Sequence, residues 1–234
     1  MKGEISMSKI YITGDTHATI DIEKLYRTGR TIMNKVKPED YLIICGDFGG
    51  VWDGDKYDVA LLDWYARQPY TILFVDGNHE NHTMLNEYPV VEWHGGKVHF
   101  IRPNLIHLMR GQYYTIAGKT ILTMGGAGST DKHLRTENVD WWAGEVANEE
   151  EKEILRNTMK EHNYQVDYIL THCAPTSALY SLSPYFDKDE MTELLDEIYY
   201  SMDFKHWYFG HYHCHMTIKE KLHCLYNLVI ELED

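Results

Sequence analysis

The chain has 234 residues, enough to bury a sizeable core, and its 44% hydrophobic and 25% charged residues are an ordinary globular balance. A formal net charge of −14 argues against duplex nucleic acid or an anionic membrane surface as a partner, since both need clustered Lys and Arg. No apolar run approaches the ~20 residues of a membrane span. The opening MKGEISMSKI lacks a signal-peptide core, and four cysteines without CxxC pairs fit a reduced, cytoplasmic protein.

In chain order, strand signals fall at residues 9–13, 41–45, 71–75, 98–101, 113–116, 120–124, 168–171, 206–209, 216–218 and 222–228. These runs are rich in Ile, Val, Tyr and Phe and are bounded by turn residues. Helices are predicted at 20–36, 58–68, 82–88, 148–162 and 187–202. In the fourth, Ile154, Leu155, Thr158 and Met159 share one face, and Asn148 is placed to cap it. Strand and helix alternate in the first half, which predicts parallel pairing in an α/β layer. Strands lie closer together in the second half, with a hairpin predicted over 216–228. No repeat or Gly/Ser/Pro-rich linker divides the chain, so residues 1–234 read as a single domain. Residues 1–7 are a candidate disordered lead, with Met7 an alternative start.

Five of these strands end alike. KIYITGDTH delivers Asp15 and His17, and YLIICGDFGG delivers Asp47. ILFVDGNHE delivers Asn78 and His79, VDYILTHC delivers His172, and HWYFGHYHCH delivers His211 and His213. In four of them a glycine precedes the first polar residue, where it permits a sharp turn and a close backbone approach. Ligands of α/β sheets collect beyond the carboxyl ends of the strands, so these side chains are expected at one edge. The O and N donors, with no thiolate, suit Mn, Fe, Zn or Ni. Seven donors are too many for one tetrahedral ion with an open position. They suit two ions about 3.5–4 Å apart that share a carboxylate. Any one GD or TH alone reads better as a turn; five in one chain, each at a strand end, read as a site.

The order D-x-H, G-D-x-x-G, G-N-H-E, T-H and G-H-x-H, here GDTH, GDFGG, GNHE, THC and GHYH, resembles the calcineurin-like metallophosphoesterases from Asp15 to His213. The resemblance implies a four-layer αββα sandwich of two mixed β-sheets flanked by helices. By position it implies Asp15, His17 and His213 on a first metal and Asn78, His172 and His211 on a second. Asp47 would bridge both, and His79 would lie just outside and face the substrate. The implied activity is hydrolysis of a phosphomonoester or phosphodiester by a metal-bridging hydroxide, with a lean toward diesters. The implied cofactors are two divalent ions, Mn²⁺ first, with Fe, Zn or Ni as alternatives. Such ions bring a bound water's pKa toward neutrality and offset charge on the phosphoryl group. His79, if cationic, could protonate the leaving oxygen. Glu80 reads either as support for one of these donors or, more simply, as a solvated carboxylate at a helix start.

Two departures narrow the subclass. The Arg that follows the second-motif Asp in the family's Ser/Thr protein phosphatases is missing from GDFGGVWDGD, and Gly50 stands where purple acid phosphatases carry Tyr. The competing class is a non-catalytic protein-binding module of the same fold. Such a module would lack a ligand or the catalytic His, and here the set is complete.

Elsewhere, the glycine-rich TMGGAGSTDKHLR could offer backbone amides to an anion, though a tight turn is the simpler reading. Arg135 on that loop is a candidate phosphate contact. Trp52, Trp141 and Trp142 could stack a nucleobase or simply pack. His94, His99, His107, His162 and His206 read as structural, and HCHMTIKEKLHC as a hairpin instead of a zinc module. The expected partner is a small phosphorylated substrate, with a nucleotide among the candidates; the sequence fixes no oligomeric state.

Overall fold

From the chain start, β1 (Ile10–Thr13), β2 (Tyr41–Cys45), α1 (Lys56–Ala66), β3 (Thr71–Val75), α2 (His82–Leu85), β4 (Val90–Trp93), β5 (Gly96–Arg102) and β6 (Leu105–Leu108) build one sheet and its cover. Next come β7 (Gln112–Ile116), β8 (Lys119–Met124), α3 (Glu149–Glu161), β9 (Gln165–Thr171), α4 (Thr176–Leu182), α5 (Glu190–Ser201), β10 (Asp203–Phe209), β11 (Met216–Ile218) and β12 (Leu222–Cys224), which build the second. Finally β13 (Ile230–Glu231) returns to the first sheet. This computed structural model describes residues 8–232, so the lead expected at 1–7 lies outside the described residues.

The first sheet has the order β13-β1-β2-β3-β6-β5-β4, with β1, β2, β3 and β6 parallel and both edges antiparallel. The second has the order β11-β12-β10-β9-β8-β7, again with a parallel centre and antiparallel edges. Period-two alternation splits each strand between two cores. In the first sheet Ile12, Ile43, Leu73 and Val75 face inward, against Tyr114, Ile121, Tyr168 and Leu170 of the second. Their neighbours Tyr11, Leu42, Ile44, Ile72 and Phe74 face outward, under α1 residues Leu61, Leu62 and Tyr65. On the far side, Leu155 and Met159 of α3 and Leu194, Leu195 and Ile198 of α5 cover Leu122, Ile169 and Trp207. The result is the expected αββα sandwich of two mixed sheets. Strands buried on both faces are apolar throughout, which is why they stand out in the sequence.

The predicted helices fared unevenly. Asn148 caps α3 through a reciprocal capping box with Glu151. Residues 20–36, expected as one helix, form two short 3₁₀ turns, Ile22–Leu25 and Ile32–Lys35. Tyr26 is extended and Gly29 sits at φ 69°, which breaks the run. The Lys24 ammonium also draws the segment inward by donating to the carbonyls of Gly14, Asp15 and Tyr226. The strand expected at 222–228 ends at Cys224, after which the chain crosses to β13. Helix α2 is a single turn, and β4, β6 and α4 were not anticipated.

Candidate metal centre

The parallel strands of both sheets end at one edge, and there the loops touch. Asp47, two residues beyond β2, lies 3.1 Å from His172, which immediately follows β9. Glycine makes this closeness sterically possible. A Cβ at Gly46 would overlap the His172 ring, and one at Gly77 would overlap Asp47 Oδ1. The donors themselves sit on costly backbone: His17, Asp47, His211 and His213 have φ of 42°, 46°, 67° and 47°. Left-handed geometry disfavours residues with a Cβ and persists where surrounding structure enforces it, commonly at functional sites.

Three groups of donor atoms lie within 4.8 Å of one another: Asp15, His17 and His213; His17, Asp47 and His79; Asp47, His172 and His211. These are the residues singled out from the strand ends. Asn78 completes the cluster, with its Nδ2 donating to Ser129 Oγ at 3.2 Å and its Oδ1 buried without a partner. His172 Nδ1 donates to Cys45 O at 2.9 Å, which turns the buried Nε2 toward Asp47 Oδ1 at 3.1 Å. His17 Nδ1 is held by Asp21 at 2.7 Å, so its Nε2 turns toward Asp47 at 3.1 Å. Orphaned buried polar atoms are costly and call for a ligand. A carbonyl oxygen and an imidazole nitrogen, each fixed by a hydrogen bond on its other side, are suited to a cation.

The loops brace one another. His211 N donates to Asp15 Oδ1 at 3.0 Å, and His79 N to Asp47 Oδ1 at 2.8 Å. Burial would raise the Asp47 carboxyl, but the charge of His172 and the hydrogen bond from His17 outweigh it and hold it well below the usual range. Burial would lower His172, yet the Asp47 charge raises it to about 10. The same opposition raises His17 to about 9. Burial pushes His211 down to about 3 and keeps it neutral, the form that ligates a metal. His79 is also depressed, first by burial, so the cationic form that protonating a leaving oxygen would need is disfavoured. A neutral imidazole still carries one N–H to donate.

Residues 8–215 match the calcineurin-like phosphoesterase family, nearly the whole described chain. The chain belongs to that family. Among curated proteins it is 25% identical over 239 residues to the lariat debranching enzyme of Drosophila pseudoobscura pseudoobscura, an alignment covering 88% of this chain and 42% of that protein. The chain therefore spans less than half the length of that relative. A solved structure from Aquifex aeolicus, a protein of unknown function, is 18% identical with a TM-score of 0.33, covering 84% of this chain and 88% of that one.

The supports of the site were only partly legible in sequence. Glu80 is fully buried, not solvated: its carboxylate accepts from Gly49 N at 3.0 Å and from Gly77 N, tying the Asp47 and Asn78 loops together. Burial, then the Asp47 charge, lifts its pKa to about 8. Glu145, also fully buried, accepts from Ser129 N and Oγ, both at 2.7 Å, and so fixes the hydroxyl that orients Asn78. Nothing local marked Glu145 for this role, whereas the i, i+4 spacing of His17 and Asp21 was a usable signal. The glycine-rich stretch is a turn: Gly126 N and Ser129 N bond Asp76 O and Glu145, so neither amide awaits an anion. Arg135 pairs with Asp131 at 2.8 Å and reaches Asp140 O, yet its charge is felt at His79. The hairpin expected over 216–228 forms over 216–224, and its His and Cys form no candidate metal group among the described residues. No helix among the described residues is long and apolar enough to cross a membrane.

Proposed function

We propose that this family member is a dinuclear-metal phosphoesterase with a preference for phosphodiesters. The observation that carries it is the convergence of seven donors from five strand ends, with Asn78 Oδ1 buried and unpaired at their meeting point. Asp15, His17 and His213 would hold one cation, Asn78, His172 and His211 the other, and Asp47 both. Divalent ions there, Mn²⁺ foremost, would supply an activated water at neutral pH and offset phosphoryl charge.

The chain's own residues do the rest. Asp47 supplies the shared anion, kept ionised by its histidine neighbours. Asn78 adds a neutral oxygen donor, so the second ion keeps its net positive charge. Asp21 and the Cys45 carbonyl fix which nitrogen of His17 and His172 faces the centre. His79, 5.2 Å ring to ring from His17, is placed to donate a hydrogen bond to a phosphoryl or leaving oxygen. Arg135 stands by as a second contact for the substrate's charge. Two points favour diesters: a donor beside the centre helps a poor leaving group depart, and the matched relative is named as a debranching enzyme. A binding module that had lost catalysis would lack one of these groups, and none is lacking.

The test is a rate assay on chelator-stripped protein with Mn²⁺ restored, comparing p-nitrophenyl phosphate with bis-p-nitrophenyl phosphate and using Asp47→Asn as control. Metal-dependent release that disappears in Asp47→Asn, faster on the diester, is the expected result. Equal or faster release from the monoester would remove the diester preference. Failure to bind any metal would remove the proposal.

A further inference from the structure

An open cavity of about 280 Å³ adjoins the centre. His17 and His79 line it together with Ala18, Ile20, Gly49, Trp52 and Asp58. No lysine or arginine lines it, so it is not built for a further phosphate. The lining is mostly apolar, and Ile20, 78% exposed, presents a large aliphatic side chain to water there with no partner in the fold to explain it.

Trp52 is held in place from several directions. Its backbone N–H donates to Asp58 Oδ2 at 2.9 Å, and the same oxygen accepts from Asp53 N and Gly54 N, both at 2.8 Å. Its carbonyl accepts from Asn81 Nδ2 at 2.7 Å. The buried Trp142 packs edge-on against the indole at 4.9 Å and 80°. On its other side the indole runs nearly parallel to His79, 6.2 Å away at 25°. Aromatic neighbours keep centroids about 4.5–7 Å apart, so no third ring fits between Trp52 and His79. A ligand ring must lie in the cavity itself, against Trp52 and Ile20. Rigid aromatic surface that is fixed before binding takes up a flat ring at low entropic cost.

We infer that this cavity binds an uncharged planar aromatic ring on the ester group of the substrate, a nucleobase or a simple aryl ring, placing that ester beside His79. The inference rests on the phosphoesterase reading above. It gives Trp52 and Ile20 the role of specificity contacts, and leaves the bond-breaking groups as already assigned.

Phosphonates test it, because their P–C bond is not hydrolysed. Calorimetric titrations of the full Mn²⁺-loaded chain would compare the 5′-phosphonate of adenosine with that of ribose, and phenylphosphonate with methylphosphonate. One stacked ring is expected to tighten binding about tenfold. Trp52→Ala should erase that factor and Trp52→Phe keep most of it, with bound Mn²⁺ and the ringless probes unaffected. Ile20→Ser, a surface change that leaves the fold alone, should cost the ring-bearing probes about threefold. A gain in both pairs supports any planar ring, and a gain in the adenosine pair alone supports a nucleobase. Equal affinity within both pairs, or equal weakening of all four probes by Trp52→Ala, would overturn the inference. If ring preference is missing while Mn²⁺ binds and p-nitrophenyl release persists, only the cavity assignment fails. If neither Mn²⁺ nor any phosphonate binds, the phosphoesterase reading fails with it.

Discussion

Asp47 and Asp76 are each 2% exposed, and both sit just beyond neighbouring parallel strands, β2 and β3. They differ in what neutralises them. Asp76 is gripped by Arg110 Nε at 2.9 Å and by His107 Nε2 at 3.1 Å. Arg110 is itself closed off by Glu151 and the Gly144 carbonyl. Burial opposes ionisation of Asp76, but the guanidinium wins and holds the carboxyl far below its usual range. Around Asp47 every counter-charge is an imidazole. A guanidinium stays protonated at any working pH. An imidazole can give up its proton and become a ligand in the same place. Equal burial thus yields a structural rivet in one case and an exchangeable anion site in the other, and the identity of the counter-ion decides which.

The largest expected contrast is between removing each charge. Asp47→Asn should cut metal-dependent hydrolysis by roughly a thousandfold or more. In the stripped chain it should cost stability near neutral pH, where the Asp47 charge keeps His17 and His172 protonated, and progressively less as pH rises through about 9 and about 10. Asp76→Asn strands a buried Arg110 and should cost about 3–5 kcal/mol of unfolding free energy, read as a lowered urea midpoint. Similar stability losses for both at alkaline pH would erase the distinction drawn here. A smaller effect is expected one step from the centre. Ser129→Ala or Glu145→Gln frees the Asn78 amide to rotate and should weaken Mn²⁺ binding about 10–100-fold, measured by competition with a chelating dye. The Mn²⁺-induced rise in Tm should shrink with it.

The smallest effect is in pH. His82, packed by Asp76, is lowered from 6.5 to about 4, chiefly by burial and then by the Arg110 charge. The unfolded chain takes up this proton near 6.5 and the folded chain only near 4, so the contribution is present above 6.5 and lost as pH falls toward 4. On the Asp47 side the sign reverses. His17 and His172 are raised to about 9 and about 10, so their contribution in the stripped chain is full below 6.5 and lost as pH rises through those values. Urea midpoints across pH, with and without Mn²⁺, should show the acid arm unchanged by metal and the alkaline arm relieved by it. An alkaline arm indifferent to Mn²⁺ would mean that these histidines are not ligands.

Much of the site was legible because its chemistry is written at strand ends. Residues 41–45 and 71–75 were placed correctly, since apolar runs ending in glycine and a donor leave few alternatives. The supporting shell was not legible. Glu145 reaches Asn78 through Ser129, a contact 16 residues and then 51 residues distant in sequence. Glu80 looked like a helix-start carboxylate until the Gly49 amide came within 3.0 Å of it. The failed helix at 20–36 shows tertiary structure overriding spacing: Ile22, Leu25 and Met33 are buried as a helix would bury them, but Lys24 is needed under the Tyr226 carbonyl. Strand β6 was missed because four residues, LIHL, carry too little pattern to register.

The crossover from β12 to β13 bears on how the protein is made. Gly14 packs so tightly on the Leu225 carbonyl that no Cβ would fit, Thr13 Oγ1 donates to Leu228 O at 2.8 Å, and Asp15 waits on the His211 amide. The earliest donors are therefore held by segments about 200 residues later. A ribosome releases the N-terminal half first, and pairings of such sequence separation are slow to form. During synthesis Asp15 and His17 emerge long before the segments that enclose them. If these donors hold metal as proposed, its capture would depend on the late segments having folded.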